Sequence, residues 1–150
     1  MTDHEQIEGN WLLTDYLFVT SDGESHYPWG KNFAGQITYC ADGTMSVQIM
    51  RSDRRPFAGA DVMNGAPNET KEAFDGYVAY WGDYTVDAEE RAVIHHLKGS
   101  LFPNWIGIDF KRFYRYEDGL LVLETAPLLF NQRTCVATLE WRRSGSPVRA

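Results

Sequence analysis

Cysteine is nearly absent from this chain: Cys40 and Cys135 are the only two among 150 residues, and no CxxC spacing joins them. That pattern excludes a disulfide scaffold and suits a reducing compartment. Basic charge is scarce as well. Fourteen Lys and Arg stand against twenty-one Asp and Glu, a net charge of −7, whereas a phosphate-backbone partner demands a basic stripe. The dense basic clusters are confined to Arg51–Arg55 and Arg142–Arg149, so nucleic acid is not an expected partner. No run reaches the roughly 18 apolar residues of a membrane span. Met1–Glu8 is polar and acidic, unlike a signal or transit peptide. The expected location is the cytoplasm, with no membrane partner. There is also no GxSxG elbow, no GxGxxG, no P-loop and no HExxH, which leaves serine-hydrolase, dinucleotide, nucleotide and zinc-protease chemistry without support. No cofactor is implied. Nothing in the chain sets its oligomeric state, and a homodimer is one state open to it.

Aromatic residues are what the chain has in excess: five Trp, eight Tyr and eight Phe, 14% of the total. They suit a β-rich fold with a wide interior. From Gly9 to Arg142 the chain reads as about eight strand-sized segments, most joined by tight turns such as Ala41-Asp42-Gly43 and Glu117-Asp118-Gly119. The expected fold is all-β, an antiparallel up-and-down barrel of about eight strands, which can enclose one small ligand. Residues 1–143 are expected to form one domain and 144–150 a disordered tail.

The register of one hairpin can be argued. A three-residue loop with Gly43 left-handed pairs Tyr39 with Met45 and Ile37 with Val47. That choice puts apolar residues on one face and Thr38, Ser46 and Gln48 on the other, which a two-residue loop does not. One helix is expected near a barrel end. Asn68 would cap it, and Phe74, Tyr77, Val78 and Trp81 fall at helical spacing.

Several landmarks together resemble the bacterial and fungal lipocalin-like domain family of the calycin group. They are Gly9-Asn10-Trp11, the stretch Tyr39 to Ser46, Phe74-Asp75-Gly76-Tyr77, and His95-His96 through Ser100-Leu101-Phe102-Pro103-Asn104-Trp105. The resemblance implies an up-and-down barrel with a ligand cavity. It does not imply one activity, because proteins of this fold carry ligands or catalyse isomerisations, cyclisations and eliminations.

Strand parity assigns candidate site residues. Val93, His95 and Leu97 should face inward, with His96 and Lys98 outward, so His95 and His96 cannot share a metal ion and no metal site is expected. Phe110, Arg112, Tyr114 and Tyr116 share the inward face of their strand, which makes Arg112 a lone cation among aromatics. Either Arg112 receives a ligand anion with His95 nearby as donor or base, or it lies across Trp11 and closes the barrel floor. Asp15 shares the parity of Trp11 and is expected to pair with Arg112 or to act as an acid. Tyr39, Met45, Val47, Tyr80 and Tyr84 should complete a wall with His95, Phe110, Arg112 and Tyr114. The function expected is binding of a small, largely hydrophobic, aromatic and singly anionic molecule. The alternative is a cofactor-independent isomerase, cyclase or dehydratase in which His95 and Arg112 are the catalytic pair.

Overall fold

Alternation of apolar and polar residues builds most of the molecule, described for residues 1–145 by a computed structural model. Along the chain come α1 (Asp3–Ile7), β1 (Gly9–Thr20), β2 (Ser25–His26), β3 (Phe33–Tyr39) and β4 (Thr44–Arg51). Then follow α2 (Pro67–Asp75), β5 (Tyr77–Asp87), β6 (Ala92–Ser100), a 3-10 turn (Pro103–Trp105) and β7 (Asp109–Glu117). The last are β8 (Leu120–Thr125), β9 (Leu128–Phe130) and β10 (Arg133–Arg143). The strands pair antiparallel in the order β2-β1-β3-β4-β5-β6-β7-β8-β10-β9, and β1 also pairs with β10. That pairing closes eight strands into a barrel, with β2 and β9 as short additions to β1 and β10. The expected architecture is the one observed. Ser144–Gly145, the start of the expected tail, form a turn in which Ser144 N donates to Asn10 O. Residues 146–150 lie outside those described.

The interior follows the period of two. Met45, Val47 and Ile49 of β4 are buried, as are Val93, His95 and Leu97 of β6 and Cys135, Ala137, Leu139 and Trp141 of β10. Removing each large apolar side chain from water contributes roughly 1.5–3 kcal/mol. The β3–β4 hairpin has the expected register, with Tyr39 opposite Met45 and Ile37 opposite Val47. Gly43 N donates to Cys40 O, and Gly43 takes a φ of +90°, which a residue without a Cβ adopts freely.

The two barrel ends differ in kind. At one end three short turns join β3 to β4, β5 to β6 and β7 to β8, and α1 lies across them with Ile7 buried. The other end carries the long connections: 21–32, 52–76, 101–108 and 126–132.

Two expectations fail here for physical reasons. The helix runs Pro67–Asp75 with Ala66, not Asn68, as N-cap, and Pro67 takes the first helical position that suits its fixed φ. Tyr77, Val78 and Trp81 belong to β5, where Tyr77 pairs with Met50 and Val78 with Ile49. Ladder pairing and β-favouring side chains override a chance helical spacing. The helix buries none of its residues. Asp15 fails because β1 slips register between Leu13 and Asp15. An extra residue there reverses the parity, so Tyr16 and Phe18 are buried instead and Asp15 accepts from Tyr16 N. Thr14, at the slip, bonds the Glu140 carboxylate at 2.9 Å.

Candidate ligand site

A cavity of about 520 Å³ fills the half of the barrel beneath the long connections. That volume suits a molecule of one or two rings. Its walls are mostly apolar: Tyr16 and Phe18 from β1, Ile49 from β4, Leu123 from β8 and Trp141 from β10. Trp105 of the 3-10 turn and Phe130 of β9 reach in from the rim. Trp105 packs edge-on against Tyr80 and Phe110, with ring centres 6.3 and 5.2 Å apart. This edge-to-face packing fixes the rim aromatics without a polar contact.

Polar groups gather on one wall. His95 is only 1% exposed, and both its ring nitrogens are engaged. Nε2 lies 2.7 Å from the Tyr39 hydroxyl and Nδ1 lies 2.8 Å from the Tyr80 hydroxyl. Burial, reinforced by the nearby Arg112 charge, holds the imidazole pKa well below its usual value. His95 is therefore neutral at pH 7, with one nitrogen donating and the other accepting. Burial also raises Tyr39 and Tyr80, while Arg112 opposes the rise at both. Both hydroxyls are thus neutral at ordinary pH, one donating to the imidazole and the other accepting from it.

Arg112 lines the same wall, its guanidinium carbon 4.4 Å above the Phe110 ring. None of the ion pairs among the described residues includes it. The floor-closing role falls to another residue. Arg143 sits 4.1 Å over the Trp11 ring and donates to Gln6 O and Glu8 O at 2.8 and 2.6 Å. With Trp11 covered from β10, Arg112 has no structural duty at the floor.

Of the nine wall residues expected, Val47, Tyr80, His95, Phe110 and Arg112 line the cavity. Tyr39 stands behind His95 as its hydrogen-bond partner. Met45, Tyr84 and Tyr114 have inward parity but pack below the cavity, toward the α1 end. Tyr84 stacks on His4 at 4.9 Å and donates to Cys40 O, and Tyr114 donates to Asp3. Parity gives a side chain's face and not its height in the barrel, which is why it places these three on the wall. Tyr16 is hidden from parity by the register slip, and Phe130 by the shortness of β9. Trp141 is readable, since it continues the inward parity of Cys135 by steps of two. His96 lies on the outer face, as expected, where it bonds Asp109 at 2.8 Å and Thr85 at 3.0 Å.

The fold and site together define a small-molecule-binding barrel. The chain matches the lipocalin-like domain family over residues 8–144 and belongs to it. A protein of Aspergillus oryzae named as a 4'-hydroxy-3'-methoxypropiophenone carrier protein is 32% identical over 106 residues, which cover 66% of this chain and 96% of that one. No solved structure matches the chain at a significant level.

Proposed function

We propose that this protein binds and carries a small, largely apolar aromatic molecule bearing one anionic oxygen, held in the barrel cavity with that oxygen at Arg112. The observation that carries the reading is Arg112 itself, a cavity-lining guanidinium outside every ion pair of the described residues. A half-buried cation without a carboxylate is an unfavourable arrangement for a bare fold and a favourable one for an anion receptor. The name of the Aspergillus oryzae relative, a carrier of an aromatic ketone, supports the ligand class.

An isomerase, cyclase or dehydratase would need a base open to its substrate. His95 has both nitrogens on tyrosine hydroxyls, so the geometry favours holding a ligand over moving its protons. Both cysteines are free thiols, Cys40 exposed and Cys135 buried, which supports the cytoplasm as the place of work. No described helix is long and apolar enough to cross a membrane.

The test is a titration followed by tryptophan fluorescence, since Trp105 and Trp141 both line the cavity. With 4'-hydroxy-3'-methoxypropiophenone and with 2-naphthoic acid as probes, saturable one-to-one quenching is expected, each probe displacing the other. Absence of quenching by either probe overturns the reading.

A further inference from the structure

Resting on the carrier reading above, we infer that the ligand is an acidic phenol and that the cavity takes it up as the phenolate, releasing the phenol proton to solvent. The charge balance of the cavity is the first ground. Arg112 carries a permanent positive charge, and none of the carboxylates in the described ion pairs answers it. A neutral ligand would displace water and leave that charge uncompensated in an apolar chamber. A phenolate would neutralise it, with the guanidinium donating to its oxygen.

The proton's destination is the second ground. The O–H bond of the ligand breaks, its electron pair stays on oxygen, and some group must take the proton. Tyr16 faces the cavity from β1, Tyr80 from β5 and His95 from β6, while Asp109 and Lys111 lie at its edge on β7. The tyrosines are held protonated by burial, and a neutral hydroxyl takes up no further proton at ordinary pH. His95 could take the proton only by breaking a tyrosine hydrogen bond and becoming a second cation near Arg112. Asp109 is committed to His96 on the outer face, and Lys111 to Glu90. The proton therefore goes to bulk water.

The aromatic chamber is the third ground. Phe18, Trp105, Phe110 and Phe130 all line the cavity, and aromatic faces and edges suit a flat ring better than an alkyl chain. A ketone conjugated through the ring withdraws charge from a para hydroxyl, bringing its pKa down from the roughly 10 of an ordinary phenol. The molecule named for the Aspergillus oryzae relative carries a hydroxyl and an acyl group of this kind. A carboxylic acid, already ionised at neutral pH, would bind without releasing a proton, so proton count separates the two sources of negative charge.

The experiment compares 4'-hydroxy-3'-methoxypropiophenone with its 4'-O-methyl ether across pH, from about two units below the phenol's own pKa to one unit above. Calorimetry in two buffers of different ionisation heat counts protons, and ultraviolet absorbance reads the form of the bound phenol. The phenol should lose about tenfold in affinity per pH unit below its pKa and level off above it. Its bound spectrum should be that of the phenolate even where the free phenol is protonated, with about one proton released. The ether should bind roughly ten- to a hundred-fold more weakly than the phenolate, with a flat pH profile. Arg112→Met should flatten the phenol's profile, and Arg112→Lys should keep it. If Arg112→Met does not fold, the wild-type profile and spectrum decide alone. Equal, pH-independent binding of phenol and ether overturns the inference and leaves the carrier reading standing. Failure of both to bind at every pH overturns the carrier reading itself.

Discussion

The two ends of the barrel use the same side chains for opposite purposes. At the α1 end Arg143 lies over Trp11 and commits its N–H groups to Gln6 O and Glu8 O, while Trp11 donates to Ile7 O. Tyr84 and Tyr114 there donate to Cys40 O and Asp3. At the cavity end Arg112 lies over Phe110 in the same manner, yet it belongs to no described ion pair. The Trp141 indole N–H is buried without a partner among the described residues. Folded proteins pair nearly all their buried donors. Each end nonetheless holds one open donor, since the Tyr116 hydroxyl beside Trp11 also lacks a partner among the described residues. The ends therefore differ in their guanidiniums: Arg143 is committed to two backbone carbonyls and Arg112 to no described ion pair. The contrast teaches that residue type alone does not separate a structural Arg from a receptor Arg; the surrounding acceptors do.

The largest expected effect is at the closed end. Trp11→Ala should lower stability by about 3–5 kcal/mol in urea unfolding, through lost burial and the cavity left behind. A loss below about 1 kcal/mol would mean that α1 and Arg143 do not depend on that ring. Arg143→Met should follow, lowering stability by about 1–2 kcal/mol through two hydrogen bonds and the cation–π contact, discounted for exposure. It should leave ligand affinity unchanged. Arg112→Met should do the reverse, leaving stability level or slightly raised while the anionic ligand binds more weakly. Matching stability losses for the two Arg variants would erase the distinction between the ends.

His95 ties the cavity to acid sensitivity. Its folded-state pKa is held well below the usual value, first by burial and then by Arg112. Below the ordinary His pKa of about 6.5 the unfolded chain therefore binds a proton that the folded protein does not. Stability from this group is complete above that pH and falls as the pH drops, by at most about 1.4 kcal/mol per unit, until the folded pKa is reached. His95→Gln should remove that slope, as read by denaturant unfolding at a series of pH values. Identical slopes for variant and wild type would show that the imidazole is not held neutral.

The smallest contrast is a pair of hydroxyls. Tyr84→Phe should lower stability by roughly 0.5–1.5 kcal/mol, the ordinary worth of its bond to Cys40 O. Tyr16 lines the cavity, and hydrogen bonding plays no part in raising its phenol. Tyr16→Phe should therefore melt with the wild type, and any change it causes should appear in ligand affinity. A stability loss at Tyr16 equal to that at Tyr84 would show a hidden partner at the open end.

Much of the barrel is legible in the order of residues along the chain. The period-two strands, the turns at Gly43 and Gly119 and the Tyr39–Met45 register all follow from local rules, because turn geometry and burial of one face act within a dozen residues. His95 inward and His96 outward are legible for the same reason. The helix is half legible: one stands where one was expected, but of the four residues whose spacing suggested it only Phe74 lies in it, and those from Tyr77 onward are claimed by pairing with β4, a partner some thirty residues earlier.

What the sequence by itself determined is therefore the alternation: which side chains enter the barrel and where the chain turns. It placed Arg112 and His95 inside and could go no further. Tertiary structure decided the rest. The slip in β1 exchanged Asp15 for Tyr16, tilt and stagger decided that Tyr84 and Tyr114 pack at the floor while Arg112 reaches the cavity, and closure of β1 on β10 brought Arg143 to Trp11. The physical reason is that parity is a property of one strand, whereas height, closure and the supply of hydrogen-bond acceptors are properties of eight strands at once.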